Sequence, residues 1–268
     1  MSKAARTRTA RERLAEQRAR EAAKQKRTRA TLISIAGIVI VALVVTLGAY
    51  LINKKEKRTQ LAHAYSGQLA PLSRDSDGGI TMAKAGVTAP LLEVFEDFQC
   101  PVCKQFESTS GDTIKKLAAE GKVKVVYRPF QLFTDNPQAS NTKRAAMAAL
   151  CVPADKWVSY HDALYKYQPT EGTEGFSTKN LKLWAKDLGF EDATFDKCVD
   201  DKQKASQLTA ITNYTLKQRG VTGTPTVFLN GKSLNLENQL MSASGLEQAI
   251  LAAGATASSA SPSASPTK

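Results

Sequence analysis

The sequence predicts an α/β domain interrupted by a block of helices and preceded by one membrane-spanning helix. Three observations carry that prediction. Thr31 to Ile52 is a run of 22 residues without a charge. Leu91 to Phe106, L-L-E-V-F-E-D-F-Q-C-P-V-C-K-Q-F, reads as a buried strand running into a helix that opens on a C-x-x-C pair. Thr226 to Leu229 is a second β-favouring run closed by Asn230-Gly231, and no convincing strand lies between residues 137 and 219.

Residues 1–30 hold 11 Lys/Arg, 3 Glu and no aromatic residue, a basic arm that cannot bury a core. Residues 1–58 carry 15 Lys/Arg against 4 Asp/Glu, or +11 of the total +12, which leaves +1 for residues 59–268. The remainder is nearly neutral, which argues against a nucleic-acid-binding domain. At about 1.5 Å per residue, the helix expected over 31–52 spans a hydrocarbon core of ~30 Å. Eleven Lys/Arg precede it and four (Lys54, Lys55, Lys57, Arg58) follow closely. The larger cluster stays in the cytoplasm, so the rest of the chain is expected outside, on an uncleaved signal-anchor. Ala62-His63-Ala64 resembles a cleavage site but lies well beyond the apolar end.

Residues 53–79 read as a linker, and Ile80 to Met82 as a short edge strand. Leu91 to Phe95 is the main strand. Pro101 suits the first helical position and places Cys100 at the N-cap, where unpaired N–H groups favour thiolate. Cys103 follows one turn later. Such a pair can attack a disulfide and release it, the minimum for thiol–disulfide exchange. Zinc would need two further ligands; Cys151 and Cys198 stand alone, and neither His63 nor His161 is near a cysteine in sequence. No metal and no cofactor is therefore expected. The helix should run to about Ala119 with a bend at Gly111, before a strand over Val123 to Tyr127 parallel to the first. Residues 137–219 read as helices, with Trp157, Tyr160, Leu164 and Tyr165 on one face of one of them. His161 there reads as core. Asn230-Gly231 predicts a tight hairpin returning through Ser233 to Leu236. A final helix covers Leu246 to Leu251, and residues 254–268 read as a disordered Ala/Ser/Pro tail.

E-D-F-Q-C-P-V-C, followed much later by G-T-P-T-V-F-L-N-G, resembles the DsbA family of thioredoxin-fold thiol–disulfide oxidoreductases, most closely its membrane-anchored members. The resemblance covers about Gly79 to Ala253, and W-V-S-Y-H-D-A-L-Y is similar to that family's helical insertion. It implies a thioredoxin fold over 80–253 and an activity that introduces disulfides into exported proteins. Cys100 would be the nucleophile, Cys103 the resolving cysteine and Pro225 a cis-proline presenting the Thr224 backbone to substrate. Implied partners are unfolded exported chains with cysteines, a membrane quinone-linked reoxidant and, through the anchor, the lipid bilayer. Val102 departs from the histidine of the best-known members, which favours a less oxidising protein, so a reductase or isomerase stands as the alternative. A redox-silent peptide-binding module is a third reading.

Two further expectations concern side chains. Glu93 or Asp97, if buried beneath Cys103, is a candidate to accept its proton, solvated strand-end carboxylates being the alternative; strand alternation puts these two on one face and Glu96 on the other. With Cys100 and Cys103 used in exchange, Cys151 and Cys198 are expected to form a structural disulfide, as some anchored DsbA-like proteins are similar in carrying a second bridge. Two separate buried thiols are the alternative.

Overall fold

A computed structural model describes residues 65–259. The basic arm, the 31–52 segment, most of the linker with His63, and the end of the tail lie outside the described residues. Strands β1 (Leu72–Arg74), β2 (Ile80–Met82), β3 (Leu91–Glu96), β4 (Lys124–Pro129), β5 (Thr226–Leu229) and β6 (Lys232–Ser233) form one mixed sheet in the order β1-β2-β4-β3-β5-β6. β3 and β4 are parallel, with Leu92 opposite Val125 and Val94 opposite Tyr127. The other pairings are antiparallel, including β3 with β5, where Val94 faces Val227. This is an α/β thioredoxin-like arrangement.

β3 is buried on both faces, which is why it reads as a continuous apolar run rather than an alternation. Phe95, Phe98, Phe106, Ile114 and Tyr127 fill the space between sheet and helices, each contributing about 1.5–3 kcal/mol by its removal from water. After β3 the chain forms α1 (Pro101–Phe106), a π-helical turn (Glu107–Gly111) and α2 (Asp112–Glu120). Where a bend was expected at Gly111, the structure widens the helix by one turn instead. Gly121 ends α2 at φ 77°, a left-handed cap that glycine alone adopts without cost.

The helical insertion contains α3 (Gln138–Cys151), α4 (Trp157–Lys166), α5 (Thr178–Asp187), α6 (Ala193–Asp200), α7 (Ala205–Asn213) and a π turn (Tyr214–Gln218). Ser177 and Asp192 cap α5 and α6 through their side chains. Cys151 and Cys198 are joined in a disulfide that ties the end of α3 to α6, with Cα atoms 6.0 Å apart. Asn230 and Gly231 both take positive φ, as a two-residue hairpin of this twist requires.

Three expectations need correction. Leu72–Arg74, within the stretch read as linker, pairs with β2, and Arg74 donates to the carbonyls of Ala149 and Val152. Three residues carry no periodicity, so only their pairing reveals the strand. The return strand stops at Ser233, because a π turn at Leu236–Leu240 follows. The last helix, α8 (Ala243–Ser259), runs six residues past the expected boundary at 253, in keeping with the helix preference of its alanines.

Candidate active site

β3 delivers the chain to a tight loop whose geometry is set by Asp97. Its Oδ1 accepts from Gln99 N at 2.8 Å and Thr142 Oγ1 at 2.7 Å. Its Oδ2 accepts from Leu132 N at 2.8 Å and Phe133 N at 3.4 Å. Burial pushes the Asp97 carboxyl up while these four donors pull the other way. Gln99, fully buried, donates to Pro169 O and accepts from Asn141. Gln168 Nε2 donates to Phe98 O at 2.8 Å and Cys100 O at 2.9 Å. The loop that presents the cysteine is therefore gripped by the insertion.

Cys100 is the N-cap of α1, with φ −77° and ψ 117°, and Pro101 follows at the first helical position. Its sulfur accepts from Cys103 N at 3.4 Å and, as a thiol, donates to Thr224 O at 3.3 Å. Both cysteines are free thiols. Their acidities are driven apart. The Cys103 side chain, Thr224 and the backbone N–H groups of Cys103 and Val102 pull Cys100 down to about 6, against the upward push of burial. Burial, the hydrogen bond to Cys100 and the charges of Cys100 and Glu96 hold Cys103 well above the ordinary thiol range. Cys100 is 5% exposed and Cys103 is sealed at 0%, while neighbouring Val102 is open at 37%. Thr224-Pro225 is a cis peptide, as are Ala89-Pro90 and Asn136-Pro137. Thr224 Oγ1 is buried without a hydrogen-bond partner, and the Thr224 side chain helps to lower Cys100.

Of the expected site residues, Cys100, Cys103, Thr224 and Pro225 are brought together, while Glu93 and Asp97 are engaged by other partners. Glu93 is held by Arg219 at 2.6 Å and Arg128 at 3.7 Å, and the Arg219 guanidinium lies 4.9 Å from the centre of the Phe228 ring. Asp97 is saturated by the loop it braces. The carboxylate whose charge helps to raise Cys103 is Glu96, which is fully buried 2.5 Å from His161 Nε2. Alternation separates Glu96 from Glu93 correctly, but a strand buried on both faces does not reveal which face the cysteines occupy. His161 is buried among core aromatics, as expected. Sequence separation hid its contact with Glu96, 65 residues away. Burial opposes its charge, yet the Glu96 carboxylate and the bond to Asp162 raise it to about 10. Side-chain donor atoms of Glu96, Glu107 and His161 lie within 4.8 Å of one another.

Residues 84–250 match the protein-family model described as thioredoxin. No curated protein sequence matches the chain. Among solved structures, the chain is similar to MdbA, a thiol-disulfide oxidoreductase from Corynebacterium matruchotii, at 24% identity and a TM-score of 0.56 over 68% of this chain and 94% of that one. It is similar to oxidised BdbD from Bacillus subtilis at 21% identity and a TM-score of 0.58, over 70% of this chain and all of that one. Reduced DsbG from Mycobacterium tuberculosis, a disulfide bond oxidoreductase, is 26% identical with a TM-score of 0.50, over 76% of this chain and all of that one.

Proposed function

The chain belongs to the thioredoxin family, and from that premise we propose that it is a protein thiol–disulfide oxidoreductase that forms disulfides in exported chains. One observation carries the reading: two free thiols on one helical turn whose acidities are shifted in opposite directions. In the oxidised enzyme a substrate thiolate attacks Cys100 Sγ, and the electron pair of the S–S bond passes to Cys103, which takes up a proton. A second substrate thiolate then attacks the mixed disulfide and Cys100 leaves as a thiolate. One of the two substrate protons ends on Cys103 and the other in solvent. Extended substrate meets the open Val102 surface and the start of β5 beside Thr224 and Pro225, where strand addition supplies register.

A low-pKa leaving group favours the reduced enzyme, which makes its disulfide an oxidant. Cys100 at about 6 lies between thioredoxin at about 7 and DsbA at about 3.5. The expected potential is therefore between about −270 and −120 mV. Equilibration of the full-length protein with glutathione buffers measures it. A value at or below that of thioredoxin would sink the oxidase and leave the reductase or isomerase that Val102 favours. Turnover of a reduced, unfolded substrate equally by wild type and Cys100→Ala would instead establish the redox-silent module.

Alkylation of the reduced protein should rise with pH through a midpoint near 6, the pKa to which Cys100 is lowered. Cys103 should stay unreactive in the native state to well above pH 9. Thr224→Val, which removes the unpartnered hydroxyl, should move the Cys100 midpoint upward by roughly one pH unit. The sign for stability follows. The depressed Cys100 pKa stabilises the reduced fold most above the unfolded thiol pKa, and that contribution is lost as pH falls through about 6. An alkylation midpoint near that of a free thiol would contradict all three.

The uncharged 31–52 run and the lysine and arginine excess before it support a single-pass anchor, with the domain outside the cytoplasm and a quinone-linked membrane partner as reoxidant. After reduction, a membrane-impermeant thiol reagent should label Cys100 on intact cells. Labelling only after lysis would reverse the orientation.

A further inference from the structure

β3, the π turn and α4 bring together three side chains that the exchange steps leave unused. Donor atoms of Glu96, Glu107 and His161 lie within 4.8 Å of one another. Two ligands each about 2.1 Å from one zinc ion are at most ~4.2 Å apart, so a small inward shift closes this set around an ion. Spacing along the chain argues against zinc because it weighs only cysteines and histidines near one another. Glu96, Glu107 and His161 meet only in the fold.

Their hydrogen bonding is that of a ligand set. Glu96 is 0% exposed, yet its Oε2 has no hydrogen-bond partner, and neither carboxylate oxygen of Glu107 has one. Buried polar atoms almost always find partners, so three such oxygens beside one imidazole call for a cation or a donor. His161 Nδ1 lies 3.3 Å from Asp162 Oδ1, and Asp162 accepts from Lys115 Nζ at 2.9 and 2.8 Å. A carboxylate on one ring nitrogen is the usual second partner of a metal-bound histidine, because it fixes the tautomer that offers the other nitrogen. That other nitrogen is Nε2, which meets Glu96 Oε1 at 2.5 Å. The backbone is shaped for the same arrangement. Glu107 opens the π turn, a widening that concentrates at functional sites. A Cβ on Gly111 would come within 2.5 Å of Glu107 Oε2, so glycine there leaves the carboxylate its place.

Charge and access agree. Glu96, Glu107 and Asp162 oppose the single ammonium of Lys115, and with a neutral imidazole the deficit equals the charge of a divalent ion. Protons otherwise fill that deficit: burial lifts Glu107 to about 8, and His161, whose charge burial opposes, is raised to about 10 by Glu96. A bound ion takes the place of both protons. Glu107 also lines a surface cleft of about 260 Å³, where Lys104, Lys115 and Lys166 are offset by Asp112 and Asp162. The cleft is the entry path, and it brings water to the ligand position that three side chains leave open. One imidazole among the donors suits zinc better than calcium or magnesium, which take oxygen ligands.

We propose that Glu96, Glu107 and His161 form a zinc site, with Asp162 and Lys115 holding the imidazole from behind. The site goes beyond thiol exchange and does not depend on it. Its ion fastens the strand that leads to the cysteine loop to the helix after Cys103 and to the insertion.

The test is zinc binding to the untagged full-length protein at pH 8, with Cys100 and Cys103 oxidised so that no thiolate competes. Competition with a chelating dye should give one ion per chain with a micromolar or tighter dissociation constant. Asp162→Asn should weaken binding about 10–100-fold, and Glu107→Gln should weaken it further. His63→Ala and Asp112→Asn, which remove the chain's other histidine and a carboxylate of the cleft wall, should leave it unchanged. Cobalt in place of zinc should show the visible bands of a four-coordinate nitrogen and oxygen site, without sulfur-to-metal charge transfer. Zinc at a hundredfold excess over its dissociation constant should raise the melting temperature by roughly 5–11 °C, a rise that Glu107→Gln should lose. If Glu107→Gln does not fold, Asp162→Asn and the cobalt spectrum decide. A protein that takes up no zinc, holds it equally tightly in Glu107→Gln and Asp162→Asn, or loses it in His63→Ala or Asp112→Asn would overturn the site, as would sulfur charge transfer to cobalt.

Discussion

Cys103→Ser is expected to strand the protein in mixed disulfides through Cys100, whereas Cys100→Ser should lose exchange completely. The asymmetry follows from placement on one turn. Cys100 carries the depressed pKa and the 5% exposure that let a partner reach it, and Cys103 is sealed at 0% with a raised pKa. A serine hydroxyl cannot form a disulfide, so the first loss is total rather than partial. Without Cys103 no internal thiol displaces the bound partner, and the covalent adduct persists. Non-reducing electrophoresis of cells carrying each variant reads the result directly. Adducts that survive in Cys100→Ser, or that are missing from Cys103→Ser, would assign the roles wrongly.

The second large effect belongs to the other pair. Cys151→Ser with Cys198→Ser removes a bridge spanning 47 residues between α3 and α6. In the chain-entropy description a loop of that size is worth roughly 4 kcal/mol, against ~5–15 kcal/mol for a typical domain. The melting temperature should fall by roughly 8–16 °C, taking about 2–4 °C per kcal/mol for a domain of this size. Mild reductant should open Cys100–Cys103 in the oxidised enzyme before it touches this bridge, because only the former contains a stabilised thiolate leaving group. A double variant with an unchanged melting temperature would show that the helices hold each other without it.

Local chemistry was legible in the sequence, and long-range company was not. Cys100, Pro101 and Cys103 announce strand, cap and helix because their spacing and backbone limits act within one turn. Asn230-Gly231 announces a hairpin for the same reason, since both residues tolerate positive φ. Leu72–Arg74 was missed because its strand exists only through β2. Both faces of β3 are buried, so polarity does not mark which of Glu93, Glu96 and Asp97 lies on the face beneath the helix. His161 was set aside as core for want of a cysteine nearby, although the fold sets it against Glu96. No spacing rule predicts a π turn, so the buried setting of Glu107 had no signal in the sequence.

The grip of the insertion on the loop before Cys100 bears on how such proteins can be recombined. Gln168 holds two carbonyls of that loop, Gln99 reaches Pro169 and Asn141, and Thr142 holds Asp97. Five contacts cross between two stretches of chain that a topology diagram would treat as separate modules. A chimera that keeps this sheet and borrows another helical block inherits a cysteine loop with its outer supports cut. The unit of exchange is therefore the helical block together with Asp97, Gln99 and the strand end that carries them.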